Sequence, residues 1–314
     1  MYLDNGKKVL IFGVSGFVGH YLAEEFHNNG YDVFGCDLER TPNLNDYIKF
    51  ENCDILDKDA VVKCVSLIKP DYIVNLAAIS SVGQSWNNPQ KTVAINVEGA
   101  INILEAVRLF APFVKVLLIG SSEEYAASDF PISESSPLDA SNPYGISKIM
   151  QEKYAELYRL RYKMNVFYVR AFNHIGPMQS DRFVIPSWCK QISRIAKGEQ
   201  EPIMHIGNTL VKRDFSDVRD VVRAYRMIVE NGNCERAYNV GSGKIICLSD
   251  ILNHLISLSN KEITIVPDES LVRKNEAPVI WCDNSLIKTE LGWEPEYSLF
   301  DTLTEIYYTY LEKT

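Results

Sequence analysis

The chain has 314 residues, 46% of them apolar or aromatic, and a formal charge of −9. A chain of this size hides roughly three quarters of its unfolded surface, so it can bury a large core, and its length suggests about two domains. The negative balance disfavours a nucleic-acid polymer as partner, because its phosphates would be repelled, and no apolar run approaches the roughly 20 residues of a membrane span.

Apolar runs of strand length alternate with longer amphipathic stretches from the start. "MYLDNGKK" passes directly into "KVLIFG" (Lys8–Gly13) with no leader-like apolar region. A helix is predicted near Phe17–Asn29, then the strand "DVFGCD" (Asp32–Asp37) and a third strand ending at "FENC". "YIVNLAA" (Tyr72–Ala78), a helix near Pro89–Phe110 and "VKVLLIG" (Val114–Gly120) follow. A helix near Pro143–Tyr162 then leads to "NVFYVRAF" (Asn165–Phe172). Continuously apolar strands joined by helices predict a parallel sheet covered on both faces, a doubly wound Rossmann-type α/β fold.

The regularity breaks after Phe172, where "NHIGPMQSDRF" reads as a loop, followed by a helix ending near Gly198 and then short segments alternating with turns. The expected division is a dinucleotide-binding domain over 1–172 and a smaller C-terminal α/β substrate-binding lobe over 173–314, with segments interleaved back into the first domain. Seven cysteines without a C-x-x-C pair, and five histidines without ligand spacing, predict reduced and mostly buried thiols in a cytoplasmic protein and no metal site.

Gly13, Gly16 and Gly19 fall between the first strand and the first helix, with Phe17 and Val18 among them. Glycines there let backbone N–H groups and the helix N-terminus approach a pyrophosphate, so these five residues are candidate cofactor contacts. Asp37 ends the second strand, where a carboxylate accepts from adenosine ribose hydroxyls. Its charge would repel a 2′-phosphate about 4 Å away by roughly 4 kcal/mol near a surface, favouring NAD(H) over NADP(H). Arg40 could swing out to meet such a phosphate, so both cofactors stay open. Asp54, with Ile55 beside it, stands where the adenine amino group can be met.

"SNPYGISK" puts Tyr144 and Lys148 one turn apart near a helix start marked by Asn142 and Pro143. An ammonium on that face can stabilise a tyrosinate and reach a cofactor ribose. The strand before it ends in "GSSEEY", offering the hydroxyls of Ser121 and Ser122 and the carboxylates of Glu123 and Glu124. Glu124 is expected to point away from the site, to solvent, with no catalytic role.

The glycine triplet, Asp37, "NLAA" at 75–78, "NVEG" at 96–99, Ser121 and "YGISK" resemble the extended short-chain dehydrogenase/reductase superfamily over essentially the whole chain. The resemblance implies a triad of Ser121, Tyr144 and Lys148, support from Asn96 through a helix kink, and cofactor contacts from Ala77 and Ala78. "VGQSW", "RAFNHIGPMQSDRFVIPSWCKQI", "RDFSDVRDVVRAY" and "YNVGSGK" resemble the nucleotide-sugar enzymes, most of all the GDP-4-keto-6-deoxy-D-mannose reductases. By that pattern Asn173 would touch the hexose or its phosphates, while Arg213 and Arg273 would grip the diphosphate. Guanidinium forks suit that task.

The expected activity is hydride transfer from NAD(P)H to the C4 ketone of a GDP-linked sugar. The expected assembly is a homodimer through a four-helix bundle. Glu123 stands where dehydratases keep a carboxylate, so a 4,6-dehydratase or 4-epimerase with bound NAD is the alternative. A non-catalytic dinucleotide sensor is the alternative of another class, although such proteins typically lose the Tyr or Lys. Ala126 and Met178 stand where the family commonly or often has glycine.

Overall fold

The computed structural model describes residues 6–272 and 276–313. Its first half follows the predicted alternation closely. The elements are β1 (Lys8–Phe12), α1 (Phe17–Asn28), β2 (Asp32–Asp37), β3 (Lys49–Asn52), α2 (Lys58–Ile68) and β4 (Tyr72–Asn75). Then come α3 (Val82–Asn87), α4 (Pro89–Val93), a π turn (Ala94–Glu98), α5 (Gly99–Phe110), β5 (Lys115–Ser121), α6 (Pro143–Tyr162) and β6 (Asn165–Ala171). The second half contributes β7 (Asn173–Ile175), α7 (Val184–Ala196), β8 (Ile203–Ile206), β9 (Lys212–Asp217), α8 (Val218–Asn231) and β10 (Ala237–Val240). It ends with β11 (Ile245–Cys247), α9 (Leu248–Ser259), β12 (Thr264–Pro267), β13 (Val279–Ile280), α10 (Ser285–Leu291) and α11 (Leu299–Lys313).

Seven strands form one sheet in the order β10-β6-β5-β4-β1-β2-β3, and every pairing in it is parallel. Alternate residues of β1 feed opposite layers, as the period of a strand requires. Val9 and Ile11 pack with α1 and α8, whereas Leu10 and Phe12 pack with α2 and α5. Both faces are therefore covered, which is why the strands read as unbroken apolar runs. The strand order turns back between β1 and β4, and the carboxyl ends there open the crevice where ligands of such sheets bind.

Three elements beyond Phe172 return to this sheet. β10 pairs with β6, α8 adds Val218, Val221, Val222 and Tyr225 to the layer with α1, and α10 adds Ile287 to the same core. Most of the remaining elements gather around a separate core. Trp188 and Ile192 of α7, Ile251 and Leu255 of α9, and Leu303 and Tyr307 of α11 pack over β8 and β9. No helix among the described residues is long and apolar enough to cross a membrane.

The helix expected near Pro89–Phe110 is not uniformly α-helical, because the π turn divides it. Asn96 sits within that turn, fully buried, with both ends of its amide engaged: Oδ1 accepts from Ile79 N at 2.8 Å and Nδ2 donates to Ile79 O at 3.1 Å. π turns of this kind bend helices and recur at functional sites. Cys36, Cys53 and Cys64, dispersed in sequence, meet in the core between β2, β3 and α2 with Sγ atoms within 4.8 Å of one another. No fourth His, Cys, Asp or Glu ligand joins them among the described residues.

Candidate active site

A cleft of about 610 Å³ runs from the glycine turn, across the ends of β4 and β5, to the second-half core. Its wall includes Gly13, Gly16, Phe17, Val18, Gly19, Ala78, Ser121, Ser122, Glu123, Tyr144, Lys148, Asn173 and Arg213. Asp37, Arg40, Asp54, Ile55 and Ala77 are not on that wall, and Arg273 lies outside the described residues.

Gly13 shows why the turn needs glycine. Its φ of +82° is left-handed, and an added Cβ would come 2.7 Å from Ala77 N. Ala77 is thus the backbone against which the turn closes. Gly19 lets α1 approach the turn, since a Cβ there would stand 2.6 Å from Gly13 O. Asp37 lies behind the turn, with Oδ2 accepting from Ser15 N at 3.0 Å and Oδ1 from Leu38 N at 2.8 Å. Arg40 faces its own loop, donating to Leu44 O at 3.2 Å and pairing with Asp46 at 3.2 Å. Asp54 is exposed and accepts from Leu56 N at 2.9 Å, while Ile55 is buried against Gly99.

Tyr144 and Lys148 face the end of β5 because α6 starts where it does. Asn142 caps the helix by accepting from Gly145 N at 2.9 Å, and Pro143 takes the first turn, where a missing N–H costs nothing. Tyr144 N donates to Ser85 Oγ at 3.2 Å, which fixes the helix against α3. Burial pushes the Tyr144 phenol up from its ordinary value, and a side-chain hydrogen bond with Ser121 acts in the opposite direction. Lys148 is 3% exposed, and burial pushes its ammonium down to about 8, with Glu124 opposing. Its Nζ donates to Ile119 O at 2.6 Å and stands 5.9 Å from the Tyr144 ring centroid. The three members of the implied triad therefore share one wall.

The strand end "SSEEY" forms a single turn of 3-10 helix over Ser122–Glu124, with Ser121 Oγ accepting from Glu123 N at 3.2 Å. Glu123 lines the cleft, and its Oε2 accepts from Asn142 Nδ2 at 2.8 Å. Glu124 does not reach solvent, contrary to expectation. It is fully buried, its Oε1 accepts from Ser121 N at 2.6 Å, and Arg170 Nε stands 4.0 Å from Oε2. The space it fills exists because Gly120 has no side chain; a Cβ there would strike Glu124 Oε1. Desolvation and the nearby Glu152 carboxylate hold Glu124 well above the usual carboxylate range.

At the far end, Asn173 contributes a buried Nδ2 with no protein partner, a donor suited to a polar ligand. Arg213 is mostly buried and pairs with Glu276 at 3.2 Å. Met178 takes φ +70°, the left-handed region that favours glycine, which accounts for the glycine often found there in the resembling family. Sequence reasoning missed Ser85, Gln151 and Glu276. Only Gln151 left a local signal, being three residues after Lys148 and so on the same helix face.

The glycine turn and the unpartnered Asn173 amide fit a dinucleotide at one end and a polar substrate at the other. The sequence matches the family described as GDP-mannose 4,6 dehydratase over residues 10–306. It is 32% identical to the GDP-6-deoxy-D-mannose reductase of Pseudomonas aeruginosa, covering 96% of each chain. It is 29% identical to GDP-mannose 4,6 dehydratase 2 of Arabidopsis thaliana, covering 92% of this chain and 83% of the relative. The fold superposes on a structure of RMD from Pseudomonas aeruginosa complexed with NADPH, with TM-score 0.84, 27% identity and coverage of 98% and 100%. The chain is therefore an enzyme of the GDP-mannose 4,6-dehydratase family, within the extended short-chain dehydrogenases/reductases.

Proposed function

We propose that the protein reduces the C4 ketone of a GDP-4-keto-6-deoxyhexose, giving a GDP-D-rhamnose-type product. The observation that carries this reading is the grouping of Ser121, Tyr144 and Lys148 on the cleft wall, with Glu123 held by the helix-capping Asn142. The relative named as a GDP-6-deoxy-D-mannose reductase supports the same choice. When bound, the reduced nicotinamide supplies the hydride. Tyr144 delivers the proton to the C4 oxygen, and Ser121 hydrogen-bonds that oxygen. Lys148 offsets the tyrosinate charge and offers a donor to the ribose. Asn173, Arg213 and Arg273 hold the sugar and diphosphate. Asp37 favours NADH, although the relative solved with NADPH makes the choice a matter for measurement.

The test is the reduced-cofactor absorbance with GDP-, UDP-, dTDP- and CDP-linked 4-keto sugars. Oxidation with the GDP sugar supports the reading, and a flat trace with all four removes it. A second reading, 4,6-dehydratase or 4-epimerase with bound NAD, is favoured by the Glu123 carboxylate on the cleft wall and by the dehydratase relatives. It predicts that GDP-mannose, or a 4-epimerisable sugar, is consumed without net cofactor oxidation.

A homodimer follows from the same reading. Ile146, Met150, Leu157 and Leu160 of α6 are exposed, as are Val93 of α4 and Leu109 and Phe110 of α5. Ile149, Tyr154 and Tyr158 of the same helix are half-buried, and the two tyrosines pack against the protein's own core. Pairing these helices with those of a second copy would cover the exposed set. Light scattering at micromolar concentration should give twice the chain mass.

A further inference from the structure

We propose that Gln151 is a positioning residue for Lys148, tying the ammonium to the π turn at Asn96 and so fixing where it stands relative to Tyr144. The inference rests on the reading of Tyr144 and Lys148 as the reacting pair. Three observations carry it. Lys148 has three N–H donors and no acceptor. One donor goes to Ile119 O at 2.6 Å and a second to Gln151 Oε1 at 3.3 Å. The third remains for a ligand in the cleft that Lys148 lines.

Gln151 is fully buried, and its Nε2 donates to Asn96 O at 3.0 Å. The amide can adopt only one orientation there, because a carbonyl only accepts and an ammonium only donates. Asn96 is itself fixed, bonding the Ile79 backbone twice and donating to Ser147 Oγ at 2.9 Å. A continuous buried chain thus runs from the loop after β4, through the π turn and Gln151, to the Lys148 ammonium. Without Oε1 the ammonium, which is only 3% exposed, would lose an acceptor, and its charged form would be less favoured.

The other groups facing Lys148 are few. Glu124, from the turn after β5, favours its charge, and the Tyr144 ring lies one helical turn back. Tyr168, from β6, donates its hydroxyl to the Lys148 carbonyl at 2.8 Å. The π turn presents only the uncharged Asn96.

The experiment follows the titration of Lys148 by NMR of side-chain-labelled lysine in the full-length, cofactor-free protein, assigned with Lys148→Arg. Gln151→Met should lower the Lys148 midpoint by about one pH unit, whereas Gln151→Glu, which keeps an acceptor and adds charge, should raise it by about as much. A purely packing role would move neither midpoint in this opposed way. Midpoints that coincide with the parent's, or that both move in the same direction, overturn the proposal. Should the Met variant not fold, the Glu variant decides alone: an upward move supports the proposal, and an unchanged or lower midpoint overturns it. The alkaline limb of ketone reduction should follow the same shifts. Opposed midpoints without turnover of any 4-keto sugar would sink the functional reading and leave this one standing. Normal turnover with unmoved midpoints would do the reverse.

Discussion

The two ends of the cleft are built differently. The end proposed for the cofactor is largely backbone: a left-handed Gly13, a close approach at Gly19 and an Asp37 carboxylate that accepts from the turn itself. The end proposed for the substrate is made by side chains from separate segments, with Asn173 on β7 and Arg213 on β9 paired with Glu276. Backbone geometry admits few sequence solutions, so spaced glycines announce it. Side-chain recognition admits many, because different residues can offer the same donors from different strands. The first end therefore tells what chemistry the scaffold supports, and the second decides on which molecule.

The sharpest way to break this contrast is at the centre. Tyr144→Phe should lower ketone reduction by about 10³-fold, since general acid groups typically contribute about 10²–10⁴-fold, while cofactor affinity measured by fluorescence stays near that of the parent. A loss under tenfold would mean that another group delivers the proton.

Lys148→Met should cost about 10²-fold in turnover, in line with general acid–base contributions, yet stabilise the cofactor-free fold. Its ammonium holds a proton up to about 8 when folded, against 10.5 in the unfolded chain, so the buried charge costs about 3 kcal/mol. Between those two values the unfolded chain binds more protons, and stability from this group rises with pH. The penalty is fully present below pH 8 and gone above 10.5. Denaturant unfolding at pH 7 should thus show a variant more stable than the parent, with the difference shrinking toward pH 10.

At the other end, Arg213→Gln should raise KM for the nucleotide sugar about tenfold with kcat nearly unchanged, the mark of lost uniform binding. A fall in kcat alone would place Arg213 with the chemistry rather than with recognition. The smallest effect expected is that of Glu123→Gln, which should leave ketone reduction within about tenfold, because no essential proton donor is removed. A thousandfold loss, with GDP-mannose consumed by the parent, would make Glu123 a dehydratase's acid–base group and move the second reading to first place.

Much of the first half was legible because its signals are local. Strand length, apolar continuity, the glycine spacing and the Asn142–Pro143 helix start all act within a few residues, and α6 has the bounds its sequence predicts. What escaped required distant partners. Glu124 reads as a surface carboxylate until Gly120, Arg170 and Glu152 surround it. The π turn at Asn96, expected as a helix kink only through the family resemblance, has no periodic signature, because one widened turn hardly changes the spacing of apolar residues. The meeting of Cys36, Cys53 and Cys64 depends on two strands and a helix packing together.

The sequence by itself determined the doubly wound first half, the glycine turn between β1 and α1 and the shared face of Tyr144 and Lys148, since each follows from steric rules acting along the chain. Only the tertiary structure decided that β10 and α8 return to complete the sheet, that Glu124 is buried, and that Gln151 stands between Asn96 and Lys148. Those outcomes depend on desolvation and on hydrogen bonds between residues far apart in sequence, which acquire their strength only once water has been excluded from around them.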